Sequence, residues 1–99
     1  MIVKVYKYKI KKTDFNKWKK VNDSARKLYK KYGGGNSRRL FKKSGIFIEI
    51  IEMDYYNSKK AFLNINKKVE DSPKIHILFK EFISYVHNTK IVREEFNSI

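Results

Sequence analysis

From Ile46 to Tyr55 the chain carries large apolar side chains at both odd and even positions: Ile46, Ile48 and Ile50 point one way on an extended strand, and Phe47, Ile51, Met53 and Tyr55 the other. Successive side chains of a strand alternate between faces, so such a segment has to be covered twice and belongs at the centre of a sheet. The chain has 99 residues, enough for one core, and no Pro/Gly/Ser-rich stretch divides it, so residues 1–99 are expected to fold as a single domain. A hydrophobic fraction of 41%, with 15% aromatic residues, excludes a disordered chain.

The other elements follow from the period of the apolar residues. Ile2 to Ile10 alternates apolar residues with Lys and reads as a first strand. Thr13 is placed to cap a helix through Phe15, Trp18, Val21, Ala25, Leu28, Tyr29 and Tyr32, which Gly33-Gly34-Gly35 stops. Ser37 to Lys43 and Ile46 to Tyr55 flank the turn Lys43-Ser44-Gly45 and read as a hairpin. Asn57 or Ser58 caps a helix through Ala61, Phe62, Ile65 and Val69. Asp71-Ser72-Pro73 breaks it, and a second helical half carries Ile75, Leu78, Phe79, Phe82, Ile83 and Val86 as far as Asn88. Ile91 to Ile99 returns to alternation as the last strand.

The order is therefore βαββαβ, an α+β chain. Right-handed crossovers put both helices on one face of a four-stranded antiparallel sheet, the ferredoxin-like arrangement. The other face would then leave one side of Ile46 to Tyr55 bare, so a second copy of the sheet is expected to cover it, making a homodimer.

Charge is distributed unevenly. Of 24 Lys and Arg and 10 Asp and Glu, residues 1–45 hold 16 basic and 2 acidic side chains, and residues 46–99 hold 8 of each, so the net charge of +14 lies in the first half. Such a field attracts anions, and non-specific nucleic-acid binding through the basic N-terminal half is the alternative function to weigh. Only Arg26, Arg38, Arg39 and Arg93 could supply the guanidinium fork that reads base edges, so no sequence preference is expected. The stretch Lys43 to Ile50 echoes the aromatic strand of RNA-recognition modules, from which Ile46 and Glu49 depart. Gly33-Gly34-Gly35 follows a helix instead of preceding one, so it is a turn and no phosphate loop. No long apolar run or signal-like start is present, and a cytoplasmic protein without membrane contact is expected. Zero Cys excludes thiolate chemistry and cysteine-based metal centres.

The segments "NSKKAFLNINKKVEDSP", "KIHILFKEFISYV" and "KIVREEF", in this order of elements, resemble the dimeric α/β-barrel superfamily, and most closely its NIPSNAP-like and antibiotic-biosynthesis-monooxygenase-like members. The resemblance covers nearly the whole chain. It implies protomers packed sheet to sheet, each with a pocket between its sheet and its helices, and activities that range from cofactor-independent monooxygenase to ligand binding. The heme-degrading branch relies on an Asn in the first strand, a Trp near the end of the third and a His in the last helix. Here the first strand holds no Asn, Tyr55 or Tyr56 stands at the Trp position, and only the His is matched, by His76 or His87.

These readings converge on a homodimer that binds a small anionic or aromatic molecule between sheet and helices, with no cofactor and no metal. His76 and His87 are eleven residues apart, which on one helix separates them by ~16 Å and prevents a shared metal. His76 is the catalytic candidate. Trp18, Tyr6, Tyr8 and Glu49 are the ligand-facing candidates: Trp18 sits on the buried stripe of its helix, the phenols offer polar anchors, and Glu49 is a carboxylate in an apolar strand. Each also has a structural reading, Trp18 as core and Glu49 as the ion-pair partner of Lys7, Lys9, Arg38 or Arg39.

Overall fold

Alternation over the opening residues builds β1 (Ile2–Lys11), and the doubly apolar segment builds β3 (Phe47–Tyr56). The two pair antiparallel along their whole length, Tyr6 opposite Glu52 and Tyr8 opposite Ile50. In this computed structural model, which describes residues 1–87 and 90–99, β2 (Asn36–Ser44) flanks β3 and β4 (Val92–Asn97) flanks β1. The sheet order is β2-β3-β1-β4, entirely antiparallel, so the two most apolar strands are central. Gly45, at φ 62°, closes the β2–β3 hairpin.

Three helices complete the chain: α1 (Phe15–Lys31), α2 (Lys59–Glu70) and α3 (Pro73–Tyr85). The sequence places the break between α2 and α3 correctly, since Pro73 begins the second of them. Ser58 caps α2, its Oγ accepting from the Ala61 N–H at 3.0 Å. At the end of α1, Gly33 has φ 100°, and the N–H groups of Gly33 and Gly34 return to the carbonyls of Lys30 (3.2 Å) and Tyr29 (2.9 Å). That is a Schellman stop, and it needs a residue without Cβ at Gly33. Thr13 is not the cap of α1. Lys12–Asp14 form a 3-10 turn that runs into the helix, and Asp14, at φ −94° and ψ −1°, is already too helical to be the extended cap that hydroxyl capping requires. The expected end of the last helix at Asn88 falls outside the described residues; α3 stops at Tyr85, and Val86 bridges to Ile10 of β1.

All helices lie on the face of the even-numbered residues of β1 and β3. Tyr8, Ile10, Ile48 and Ile50 pack there with Trp18 and Val86, and Phe15, Phe82 and Ile91 close around them. The opposite face carries Val3, Val5, Leu40, Ile51, Met53, Tyr55, Val92 and Phe96, with Leu40 and Phe96 about half exposed at 48% and 49%. Glu49 lies on this open face, paired with Lys42, its neighbour in register on β2, at 3.3 Å. Of the expected partners Lys7, Lys9, Arg38 and Arg39, Lys9 is in register with Glu49 on β1, yet the ion pair is made with Lys42, its register neighbour on β2. No helix of the described residues is long and apolar enough to cross a membrane.

Candidate functional site

The helix-facing side of β3 changes character along the strand. Ile48 and Ile50 are in the core, and the next positions of the same parity are Glu52, Asp54 and Tyr56. Above the acidic half lies a cleft of about 1030 Å³, bounded by α1 on one side and by Ile75, Leu78, Phe79 and Phe82 of α3 on the other. An apolar wall faces a polar floor, the usual make-up of a small-molecule pocket.

Glu52 is the centre of that floor. It is 8% exposed and accepts hydrogen bonds from Tyr8 Oη (2.7 Å), Asn22 Nδ2 (2.8 Å) and an Arg26 Nη (2.8 Å). Trp18, 3% exposed, donates its indole N–H to Tyr8 Oη at 2.8 Å, so the phenol accepts from one partner and donates to the other. Arg26 also reaches Asp54 at 3.4 Å, and Arg39 ties Asn22 (2.8 Å) and Asp23 (2.7 Å) together at the rim. Among the described residues no buried side-chain nitrogen or oxygen lacks a partner. A buried carboxylate is tolerable only when its lone pairs are filled in this way.

Charge in the cleft is balanced. Arg26, Lys27, Lys30, Arg39 and Arg93 line it, and so do Asp23, Glu52, Asp54, Glu70 and Asp71, half of the chain's ten acids. A chain of +14 has therefore concentrated its carboxylates here. Burial pushes the Asp54 carboxyl up to about 6; Arg26 opposes that rise and Glu52 adds to it. Burial likewise holds the Tyr6, Tyr8 and Tyr56 hydroxyls above the ordinary phenol value, with nearby carboxylates adding to the effect.

The sequence candidates fall in different places. Tyr6 and Tyr8 line the cleft. His76 is on its rim, exposed, with Nε2 donating to the Glu70 carbonyl at 2.8 Å, where it satisfies one of the orphan acceptors at the end of α2. Trp18 packs behind Tyr8 in the core, in tilted contact with Phe15, and Glu49 is on the other side of the sheet. His87 lies against the Phe47 ring, with centroids 4.4 Å apart. Among the described residues no three His, Cys, Asp or Glu side chains are grouped to hold one metal ion. Asn22, Arg26, Glu52 and Asp54 were not among the candidates; Arg26, one turn beyond Asn22 on α1, turns inward to Glu52.

No protein-family model matches the sequence, and no curated protein does. Solved structures do match. A NIPSNAP domain protein from Burkholderia xenovorans superposes with a TM-score of 0.76 at 13% identity, covering 100% of this chain and 95% of its own. The chain shares that protein's ferredoxin-like fold. A NIPSNAP family protein of unknown function from Agrobacterium tumefaciens gives a TM-score of 0.75 at 13% identity over 97% of this chain and 86% of its own. SnoaB of Streptomyces nogalater, a cofactor-independent oxygenase, gives 0.73 at 8% identity over 99% of this chain and 93% of its own. The ferredoxin-like fold is thus shared with NIPSNAP and monooxygenase-type proteins, and at such identities the likeness is one of fold.

Proposed function

We propose that the chain binds a small, flat, largely apolar molecule with a polar end in the cleft between sheet and helices. The observation that carries this reading is the pairing of an apolar α3 wall, Phe79 and Phe82 foremost, with the hydrogen-bonded floor of Glu52, Arg26 and Asp54. Equal numbers of acids and bases around the cleft favour an aromatic ligand over an anionic one. In the oxygenase form of the reading the bound aromatic supplies the electrons and dioxygen is the oxidant, without a cofactor; the likeness of fold to SnoaB supports this form. A second copy of the chain covers the open sheet face.

Hydroxynaphthalenes and hydroxyanthracenes, followed by saturation-transfer NMR and thermal unfolding, test the reading. Ligand at a hundredfold excess over Kd stabilises the fold by about 2.7 kcal/mol, and Phe79→Asp abolishes the effect. Oxygen consumption by a bound compound identifies the oxygenase form. Failure of the whole panel to bind overturns the reading.

A further inference from the structure

Asp54, Tyr6, Tyr29 and Tyr56 meet at one end of the cleft, and binding alone leaves them without a chemical role. Strand parity brings three of them together: Asp54 and Tyr56 are successive helix-facing positions of β3, and Tyr6 stands across on β1, opposite Glu52. Tyr29 descends from α1 one turn beyond Arg26, and all four line the cleft. The two carboxylates of the floor differ. Glu52 accepts three hydrogen bonds at 2.7–2.8 Å, whereas Asp54 is held by a single contact with Arg26 at 3.4 Å. A carboxylate whose lone pairs are filled cannot take a proton from a ligand; one that is loosely held can. Asp54 is also 26% exposed at its side chain, so it is open to the cleft.

Around it stand phenols that stay protonated. Burial, first, and then the neighbouring Asp54 carboxylate hold Tyr6, Tyr29 and Tyr56 above the ordinary phenol value, so each remains an O–H donor at neutral pH. A proton acceptor beside several neutral O–H donors in a partly dry site is the arrangement that removes a proton next to a carbonyl group.

We propose, resting on the ligand reading above, that this end of the cleft catalyses enolisation of an aromatic carbonyl compound, with Asp54 as the base and Tyr6, Tyr29 and Tyr56 as donors to the carbonyl oxygen. The Cα–H bond breaks and its proton passes to an Asp54 oxygen. The electron pair left behind forms the C=C bond, and the π pair of the C=O group moves to oxygen, where the phenols stabilise the enolate. Return of the proton to the same carbon exchanges it; return to a conjugated carbon isomerises the substrate. No oxidant or reductant takes part. With its carboxyl at about 6, Asp54 is mostly ionised at neutral pH yet basic enough to accept. The charged and titratable groups around it are Arg26 and Tyr29 from α1, Lys4 and Tyr6 from β1, Glu52 and Tyr56 from β3, Arg93 from β4 in register with Tyr6, and Glu70 at the end of α2.

The test uses 1-phenylbutane-1,3-dione and 2-tetralone in D2O, with proton NMR following loss of the α-hydrogens and saturation transfer reporting binding. The wild-type chain accelerates exchange above the buffer rate, and the rate falls as pH drops through about 6. Asp54→Asn loses roughly 10²–10⁴-fold of the acceleration while keeping the binding signal. Tyr56→Phe, which conserves shape, lowers the rate and leaves binding intact, a second check independent of the first variant's folding. Probes that bind but exchange at the buffer rate, or an Asp54→Asn protein as fast as wild type, overturn the enolisation proposal and leave the ligand reading standing. If neither probe binds, the enolisation proposal falls, and the ligand reading is decided by the hydroxyarene panel alone.

Discussion

Tyr8 and Glu52, 44 residues apart in sequence, share a buried hydrogen bond of 2.7 Å from phenol to carboxylate. The same oxygen of Tyr8 accepts the Trp18 indole N–H at 2.8 Å, so one hydroxyl joins the core to the floor of the cleft. Tyr8→Phe strips an acceptor from Trp18 and a donor from Glu52 without leaving a cavity. Stability should fall by about 1–3 kcal/mol, or about 4–8 °C in Tm for each kcal/mol, measured by thermal and urea unfolding. Glu52→Ala, which also removes the 2.8 Å partner of the Arg26 guanidinium and leaves it the longer contacts with Asp54 and Asn22, should cost more, roughly 3–5 kcal/mol. Equal losses for the two variants would show that the network is not coupled as described.

Asp54 gives a pH prediction of opposite sign to that of an ordinary ion-paired carboxylate. Its carboxyl titrates at about 6 in the fold against an ordinary 3.8, so between those values the folded chain holds the extra proton. Stability from this group is greatest below the unfolded value and declines as pH rises through about 6. Asp54→Asn should therefore be more stable than wild type at pH 7–8, and the difference should vanish or reverse near pH 4. Calorimetric Tm values of the two proteins across that range decide it. The trade expected of a functional base follows: the residue that would do the chemistry weakens the fold at neutral pH.

The open sheet face predicts association. Two copies covering Leu40, Ile51 and Met53 should give about twice the 11.9 kDa chain mass in light scattering. Ile51→Lys puts a charge at the middle of that face and should yield a folded monomer. A wild-type monomer at micromolar concentration would refute the sheet-to-sheet arrangement, and a dimer that survives Ile51→Lys would move the interface elsewhere.

Nucleic acid should bind only loosely. Lys4, Lys7, Arg26, Arg39 and Lys42 are already paired with carboxylates, which breaks up a phosphate track. Labelled oligonucleotides should give dissociation constants of roughly 10⁻⁴ to 10⁻⁶ M near physiological salt. Nanomolar affinity at 150 mM salt would make the basic half the functional surface.

The fold was legible in the sequence because each element writes its own period: alternation in Ile2 to Ile10, three-and-four spacing through Trp18 to Tyr32, and Pro73 at the restart. The site was less so. Glu49 drew notice as a carboxylate beside three apolar residues, but parity settles the matter: Ile48 and Ile50 are core, so the next inward residues are Glu52 and Asp54, while Glu49 faces the other way. The same step along α1, from Trp18 to Asn22 to Arg26, places three polar-tipped side chains on one stripe. A charged residue on a helix is ordinarily solvated, and only the buried acids of a distant strand reverse that preference for Arg26. Trp18, a ligand-facing candidate with a core reading beside it, is buried, and its indole N–H is taken up by Tyr8.

The Arg26 guanidinium, bridging Glu52 and Asp54, also decides where α1 may sit on the sheet. Apolar packing alone tolerates a helix sliding by one turn, since Val21, Leu28 and their neighbours are interchangeable greasy knobs. A slide of about 5.4 Å would carry the guanidinium out of hydrogen-bond range and leave two carboxylates facing the underside of the helix. The polar floor thus works as a latch that selects one docking position, fastened by Arg26 and Asn22 on Glu52 and by Arg39 on Asn22 and Asp23, and the cleft inherits its shape from that register.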